Sequence, residues 1–488
     1  MRLKITGTGW ILTALVLMAV VVRIGYVWNL PTDELRWSDE REFDKIGWRL
    51  ASTGRYESIP YRATPAFPCF LAAVYRVAGH SYRAARVAQS VLAGLLVLAV
   101  YGIGASLFGR VTGMVAAGGV ALYPPLIYLS GVFYAEHLYA VLLAGAVYCL
   151  VKWWETKRIR WVAIVGVVLG LGALCRPVCL VFVPVAAGYA GWSGRGRWRW
   201  GSAAILLGVV CLTVAPWTIR NAMAYHHFLP ISTGLGLHLW RGNDDVSRGD
   251  ADDRFLFPDN GIWTARVKEL PTREQRNAAR REVSRIDDAM TRITVLGPAG
   301  SFDEEALKGF YALKPDSSLT EGTGSEADSA IRKKVDLVEL DGVFLRSAEE
   351  WMVYHPLDVL RLSARRVVTL YSAFTRSRTP SEDAGRRNRV IAAMSFYPVL
   401  ALGLIGAVVA WQRQRGSVVL AAAIAAGMAV YVVTTACTRF RLPLDPFWML
   451  LASVTVTSGW QRARDGAAAA WGSLFEKPER PAAPGRRY

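Results

Sequence analysis

The chain has 488 residues, a formal net charge of +18 from 57 Lys and Arg against 39 Asp and Glu, and six cysteines. At 53% hydrophobic residues and a mean hydropathy of +0.25 it is too apolar for an ordinary soluble protein, yet 20% of it is charged, so the two populations must be segregated. The basic excess gathers in short loops beside apolar runs and not in a soluble module, which excludes nucleic acid as a partner and follows the positive-inside rule of membrane proteins.

Apolar runs of helical length predict membrane helices near residues 8–28, 83–108, 112–131, 133–151, 161–175, 177–192, 201–219, 390–411, 417–436 and 442–460. The first run is long and no small-x-small cleavage site precedes Tyr26, so it reads as an uncleaved helix. The pair meeting at Arg176-Pro177 is short for full spans. Alternate loops carry the basic residues: Arg2 and Lys4; Arg110; Lys152, Lys157, Arg158 and Arg160; Arg195, Arg197 and Arg199; Arg413 and Arg415; Arg462 and Arg464. That side is assigned to the cytoplasm, with both termini in it.

Four regions result. Residues 1–220 form an N-terminal transmembrane module whose first outer loop is 29–82; residues 221–389 form a mainly helical extracytoplasmic segment with an insertion at 244–330. Residues 390–460 form C-terminal transmembrane helices, and 461–488 a basic cytoplasmic tail. Phe67 to Val77 is too short to span and predicts a helix lying at the interface. In the outer segment, Thr272 to Val295 and Ile331 to Tyr354 show amphipathic helical spacing, Gly322 to Asp328 reads as a linker, and Leu357 to Phe374 suits a helix at the headgroups. The six cysteines, almost all in apolar segments, have neither zinc nor disulfide spacing.

Ionisable residues inside spans mark ion or proton paths, so their depth separates a pump from a surface enzyme. Arg86, Glu136, His137, Arg176, Arg220, Arg389, Arg439, Arg441 and Asp445 all fall at or near outer helix ends. The densest pattern follows the first helix: Trp37-Ser38-Asp39-Glu40-Arg41-Glu42-Phe43, then Gly54-Arg55-Tyr56, then Arg62-Ala63-Thr64-Pro65-Ala66-Phe67-Pro68.

This loop resembles the first outer loop of the GT-C glycosyltransferases, in particular the family 39 group that includes protein O-mannosyltransferases and lipid A aminoarabinose transferases. The resemblance continues through Tyr123-Pro124 with Glu136, Arg176-Pro177, Ala215-Pro216-Trp217 with Arg220-Asn221, Gly242-Asn243, His355-Pro356 and Arg439-Phe440-Arg441-Leu442-Pro443. Ala66 stands where many members have Gly, and 244–330 has no identified counterpart. The resemblance implies an all-α polytopic membrane protein, a GT-C-like bundle of about ten transmembrane helices with interfacial helices and a mainly helical outer domain.

It also implies transfer of a sugar from a polyprenyl-phosphate-linked donor to a lipid, glycan or protein acceptor at the outer face, with inversion at the anomeric carbon. A hydroxyl acceptor needs a carboxylate base, for which Asp39 is the candidate, with Glu40 orienting it. A leaving phosphate needs fixed cations, for which Arg62, Arg220, Arg439 and Arg441 are candidates, with Arg86 and Arg176 behind them. Tyr56, Glu136, His137 and Asn243 are expected to contact substrate. No cofactor is expected; Glu136 with His137 is the pair a divalent metal would use. The absence of an Asn-x-Ser/Thr sequon favours a bacterial inner membrane. The rival readings are a lipid-linked-sugar flippase or transporter, which tends to show repeats and midplane polar groups, and a scaffolding subunit in which Asp39 has no special role.

Overall fold

The computed structural model describes residues 7–31, 34–58, 64–194, 196, 198–250, 252–253, 261–292, 337–372 and 385–475, and all regular structure among them is helical. The first half contains α1 (Gly7–Trp28), α2 (Ser38–Thr53), α3 (Ala66–Ala78), α4 (Tyr82–Phe108), α5 (Arg110–Leu122), α6 (Pro124–Leu129), α7 (Ala135–Thr156), α8 (Ile159–Cys175), α9 (Cys179–Ser193) and α10 (Trp198–Tyr225). The outer segment contributes α11 (Leu235–Gly242), α12 (Gly261–Glu269), α13 (Arg273–Arg292), α14 (Leu337–Tyr354) and α15 (Pro356–Tyr371). The chain then forms α16 (Gly385–Arg413), α17 (Val418–Val433), the one-turn α18 (Thr438–Arg441) and α19 (Asp445–Phe475).

Among the described residues six helices are long and apolar enough to cross a membrane: α1, α4, α7, α10, α16, and α17 taken with the turn before it (Arg415–Val433). These six match six of the ten expected runs; α5, α8 and α9 are shorter than a span, as is α3, and the run at 442–460 enters α19 at Asp445. One cause is proline: the run expected at 112–131 breaks at Tyr123, whose extended backbone (ψ 114°) precedes Pro124, because the ring of a proline disfavours helical geometry in the residue before it. The same chemistry separates α8 from α9 at Arg176 (ψ 117°), ahead of Pro177.

The buried side of the bundle is a large apolar core that includes Leu96, Val100, Leu143, Val147, Val165, Phe182, Leu420, Phe447 and Leu450. The opposite faces of the same helices leave Trp10, Leu17, Val21, Val91, Leu95, Leu212, Val408 and Trp411 exposed. Water would make that surface an aggregation hazard; a hydrocarbon surround solvates it. α16 and α19 pack along their length, and a Cβ at Gly406 would collide with the Leu451 carbonyl, so a glycine is required at that crossing.

Polar contacts gather at two ends of the bundle. At the end assigned to the cytoplasm, Lys152 pairs with Glu155 at 2.7 Å, Arg413 donates to Ser458 at 2.8 Å, and Tyr189 donates to the Gly416 carbonyl at 3.1 Å. At the other end lie the loop helices α2 and α3, the α8–α9 break, α18 and the outer segment. α2 falls in the segment read as the first outer loop, yet Phe43, Ile46 and Leu50 repeat at helical spacing, Asp39 and Glu40 complement its N-terminal dipole, and Gly54 (φ +74°) closes it, its N–H donating to the Leu50 carbonyl at 3.1 Å. α2 packs on α3, with Phe43 and Phe67 edge to face at 5.1 Å.

The outer segment docks through Arg366. Its buried guanidinium donates to the carbonyls of Val432 (3.1 Å), Val433 (2.9 Å) and Gly242, neutralising the exposed carbonyls at the ends of α11 and α17. α15 turns Leu357, Leu360 and Val368 outward, the exposed apolar stripe expected of a helix at the headgroups. The linker expected at Gly322 to Asp328 lies outside the described residues.

Candidate active site

Four residues from distant parts of the chain converge at the outer-loop end. Arg439, on α18, donates from Nη2 to Asp39 Oδ2 at 2.7 Å, across 400 residues of sequence. Its Nε lies 3.3 Å from Glu136 Oε1, and Arg176 Nη1 reaches the same oxygen at 2.6 Å. The result is a chain of alternating charge, Asp39, Arg439, Glu136, Arg176. Glu136 is its buried centre at 2% side-chain exposure, whereas Asp39, Arg439 and Arg176 are 25%, 21% and 20% exposed.

Aromatic rings hold the guanidinium groups from the sides. Arg439 lies over Tyr134 at 4.3 Å, and both arginines flank Phe440, at 5.5 Å and 5.2 Å. Tyr431 stacks on Phe440 at 4.5 Å and its hydroxyl accepts from Arg176 Nη2 at 3.3 Å. Burial works against the charge of Arg439, but the carboxylates of Asp39 and Glu136 outweigh it and hold its pKa well above the ordinary value. Glu136 does the same for Arg176. Both guanidinium groups are therefore held in the charged form, with their counter-charges supplied by the protein.

Glu40 stands beside Asp39 in sequence but faces inward. Its Oε2 accepts the amides of Arg36 (3.0 Å) and Trp37 (3.1 Å), and its Oε1 accepts the amide of Phe133 (3.0 Å). Burial raises its pKa, against the opposing pull of those amides. It ties the start of α2 to the turn before Glu136, so its part is to hold Asp39 and Glu136 in one frame. Arg86 reinforces that frame by donating to the carbonyls of Pro31 (2.7 Å) and Glu34 (3.2 Å).

The other candidates lie elsewhere. Arg441, two residues from Arg439, points into the bundle, where its Nε meets Asp445 Oδ1 at 3.0 Å and Tyr123 donates to Asp445 Oδ2 at 3.0 Å. Arg220 stacks with Tyr56, Trp217 and Tyr225 and donates to the Tyr56 carbonyl at 2.7 Å, while the Tyr56 hydroxyl donates to the Thr64 carbonyl at 3.2 Å. These contacts brace both flanks of the segment carrying Arg62, which itself lies outside the described residues. Asn243 belongs to the Arg366 junction: its Nδ2 donates to the Val433 carbonyl at 2.8 Å and its Oδ1 accepts from Arg366. His137 is buried beside Arg23 and Leu129, away from the partners of Glu136.

Several buried residues carry little signal in the sequence. Arg23 sits inside the first apolar run, buried, donating to the carbonyls of Ala121 (2.7 Å) and Val120 (3.1 Å); a charge within such a run was the available signal. Tyr134, Tyr431 and Phe440 gave no such signal, because aromatic residues near helix ends read first as membrane-belt residues.

No curated protein matches the chain in sequence. Residues 62–219 match the sequence model of the dolichyl-phosphate-mannose-protein mannosyltransferase family, a stretch that contains Glu136 and Arg176. The fold is similar to that of the oligosaccharyltransferase AglB from Archaeoglobus fulgidus, solved with an inhibitory peptide and a dolichol-phosphate, with a TM-score of 0.50 and 14% identity over 97% of this chain and 52% of that one. The Archaeoglobus fulgidus enzyme in its apo form gives the same TM-score of 0.50 at 14% identity, over 95% and 52% of the two chains. ArnT from Cupriavidus metallidurans bound to undecaprenyl phosphate is matched over 98% of this chain and 82% of that one, at 15% identity and a TM-score of 0.42. The chain spans about half the length of AglB. The family match over residues 62–219 and the architecture shared with AglB bear out the resemblance read from the motifs, and the chain is an all-α polytopic membrane protein with a fold similar to that of AglB.

Proposed function

We propose that the protein transfers a sugar from a polyprenyl-phosphate-linked donor to a hydroxyl-bearing lipid, glycan or protein acceptor at the extracytoplasmic face of a bacterial inner membrane. The observation that carries this reading is Arg439 lying between Asp39 and Glu136 at the outer-loop end of the bundle. One carboxylate and two charged guanidinium groups side by side are the parts that such a transfer needs. The name of the matched family and the dolichol-phosphate in the AglB structure support the donor class; the alternation of basic loops supports the sidedness.

In this reading Asp39 takes the proton of the acceptor hydroxyl as that oxygen bonds to the anomeric carbon. The bond from that carbon to the phosphate oxygen breaks, and its electron pair leaves with the phosphate. One displacement on the face opposite the leaving group inverts the centre. The negative charge growing on the phosphate is met by Arg439 and Arg176, with Arg62 and Arg220 as further donor-binding candidates. Preformed cations of this kind act without reorganisation at the moment of bond breaking.

The test is transfer from a labelled polyprenyl-phosphate sugar to candidate acceptors in proteoliposomes. Asp39→Asn is expected to lower turnover by about 10² to 10⁴ while still binding the lipid phosphate. Full turnover in Asp39→Asn removes Asp39 as base. Movement of the lipid-linked sugar across the bilayer without transfer replaces this reading with the flippase.

A further inference from the structure

The cluster, built for transfer as proposed above, has its base engaged. Asp39 Oδ2, one of the two oxygens of the proposed base, is 2.7 Å from Arg439 Nη2. A carboxylate paired with a guanidinium is a weakened base, because the proton and the cation compete for the same lone pairs. Something must draw Arg439 away before Asp39 works at full basicity.

The geometry around Arg439 allows this. Both carboxylates are mounted on a common frame by Glu40, which binds the amides of Trp37 and Phe133 on either side. Glu136 is buried and held by Arg176 at 2.6 Å, so it stays when Arg439 moves. Arg439 is the mobile partner by chemistry: a long side chain resting on Tyr134 and Phe440, whose faces offer it no competing acceptor. Its Nη1 is buried and has no hydrogen-bond partner among the described residues. A guanidinium with donors left over, paired by charge with Glu136 3.3 Å from its Nε and hydrogen-bonded from its Nη2 to Asp39, is poised to exchange the second for a phosphate.

We propose that Arg439 is a latch on Asp39 that the donor's phosphate releases, so that the base is uncovered only in the donor-loaded protein. This deepens the transferase reading and rests on it. The incoming phosphate diester takes Nη1 and Nη2, Glu136 keeps Nε, and Asp39 Oδ2 turns to the acceptor. Transfer then proceeds with the proton passing to Asp39, the new bond forming at the anomeric carbon, and the old bond's electron pair going to the phosphate oxygen that Arg439 now holds. An acceptor arriving before the donor meets a blocked base, so binding order is imposed by one side chain.

The latch predicts that Asp39 competes with lipid phosphate for Arg439, and this is measurable without a sugar or an acceptor. Binding of undecaprenyl phosphate to the purified full chain in detergent is compared for wild type, Asp39→Asn, Arg439→Gln and the double variant. Asp39→Asn is expected to tighten binding on the order of tenfold, the usual size of a coupling between linked sites. In the Arg439→Gln background the same change is expected to do nothing. A gain of affinity cannot come from misfolding, and size-exclusion profiles check the Arg439→Gln variants. Unchanged or weaker binding by Asp39→Asn overturns the latch and leaves the transferase reading standing. Equal tightening in both backgrounds also overturns it, since Asp39 would then act on the phosphate by charge alone and not through Arg439. Failure of wild type to bind undecaprenyl phosphate overturns both the latch and the donor assignment.

Discussion

Glu136 is the residue whose removal should be felt most widely, because one buried oxygen serves two cations. At an effective dielectric of about 20, the 2.6 Å contact to Arg176 and the 3.3 Å contact to Arg439 correspond to about 6 and about 5 kcal/mol of Coulomb attraction. Most of that offsets the desolvation of the three groups, and breaking a buried pair by deleting one partner costs about 3–5 kcal/mol net. Glu136→Gln is therefore expected to lower the apparent Tm by about 6–10 °C, at about 2 °C per kcal/mol for a large chain. The informative comparison is a cycle with Arg176→Met, a change that keeps the bulk of the side chain. Arg176→Met alone leaves Glu136 with Arg439 and should cost less, and the double variant should fall short of the sum by about 1–3 kcal/mol because the two residues oppose each other's charge. Thermal unfolding in one detergent, read by tryptophan fluorescence at one scan rate, provides the four values. Additivity within about 0.5 kcal/mol would refute the claim that Glu136 is a shared counter-ion.

The membrane bundle is legible because lipid enforces it: the apolar runs of helical length are helical over most of their residues, since a spanning backbone has no other way to satisfy its amides. Helix ends were misjudged where proline acted, as at Pro124, because hydropathy averages across a single residue. α2 was visible in the spacing of Phe43, Ile46 and Leu50, but its charged majority masked that spacing in a reading guided by hydropathy. In the site, Asp39 stood out through its place after the first helix, and Arg439 through its place before the last. That they touch across 400 residues depends on tertiary packing that no local pattern encodes. The same limit explains why Arg439 and Arg441 could not be told apart. They are two residues apart on a one-turn helix, so they point in different directions, one to Asp39 and the other to Asp445, and only the packing decides which is which.

That difference can be measured. Arg441→Met strands Asp445, which is fully buried with Tyr123 as its remaining partner, and should cost about 3–5 kcal/mol of stability, read as a lowered Tm. Binding of undecaprenyl phosphate by the folded fraction should be retained; a loss there would return Arg441 to the donor site. A second contrast concerns pH. Asp244, in the outer segment, is pushed up to about 8 by burial and then by the neighbouring Asp245, and burial with Asp250 raises Asp253 to about 6. Both folded pKa values lie above the unfolded value of about 4, so the folded state holds the extra protons, and stability falls as pH rises from about 4 to 8. Hydrogen-exchange protection of the backbone between Asn243 and Asp253, corrected for intrinsic rates, should accordingly be greater at pH 5.5 than at pH 8.5. Asp244→Asn keeps the shape and removes the titration, so it should flatten most of this dependence. Asp253 leaves a smaller remainder because Arg266 Nη1 and the amides of Arg248 and Gly249 already bind its carboxylate. A pH dependence unchanged in Asp244→Asn would mean that the buried carboxyl is not the group that senses pH, and that its charge is balanced by a cation or by water.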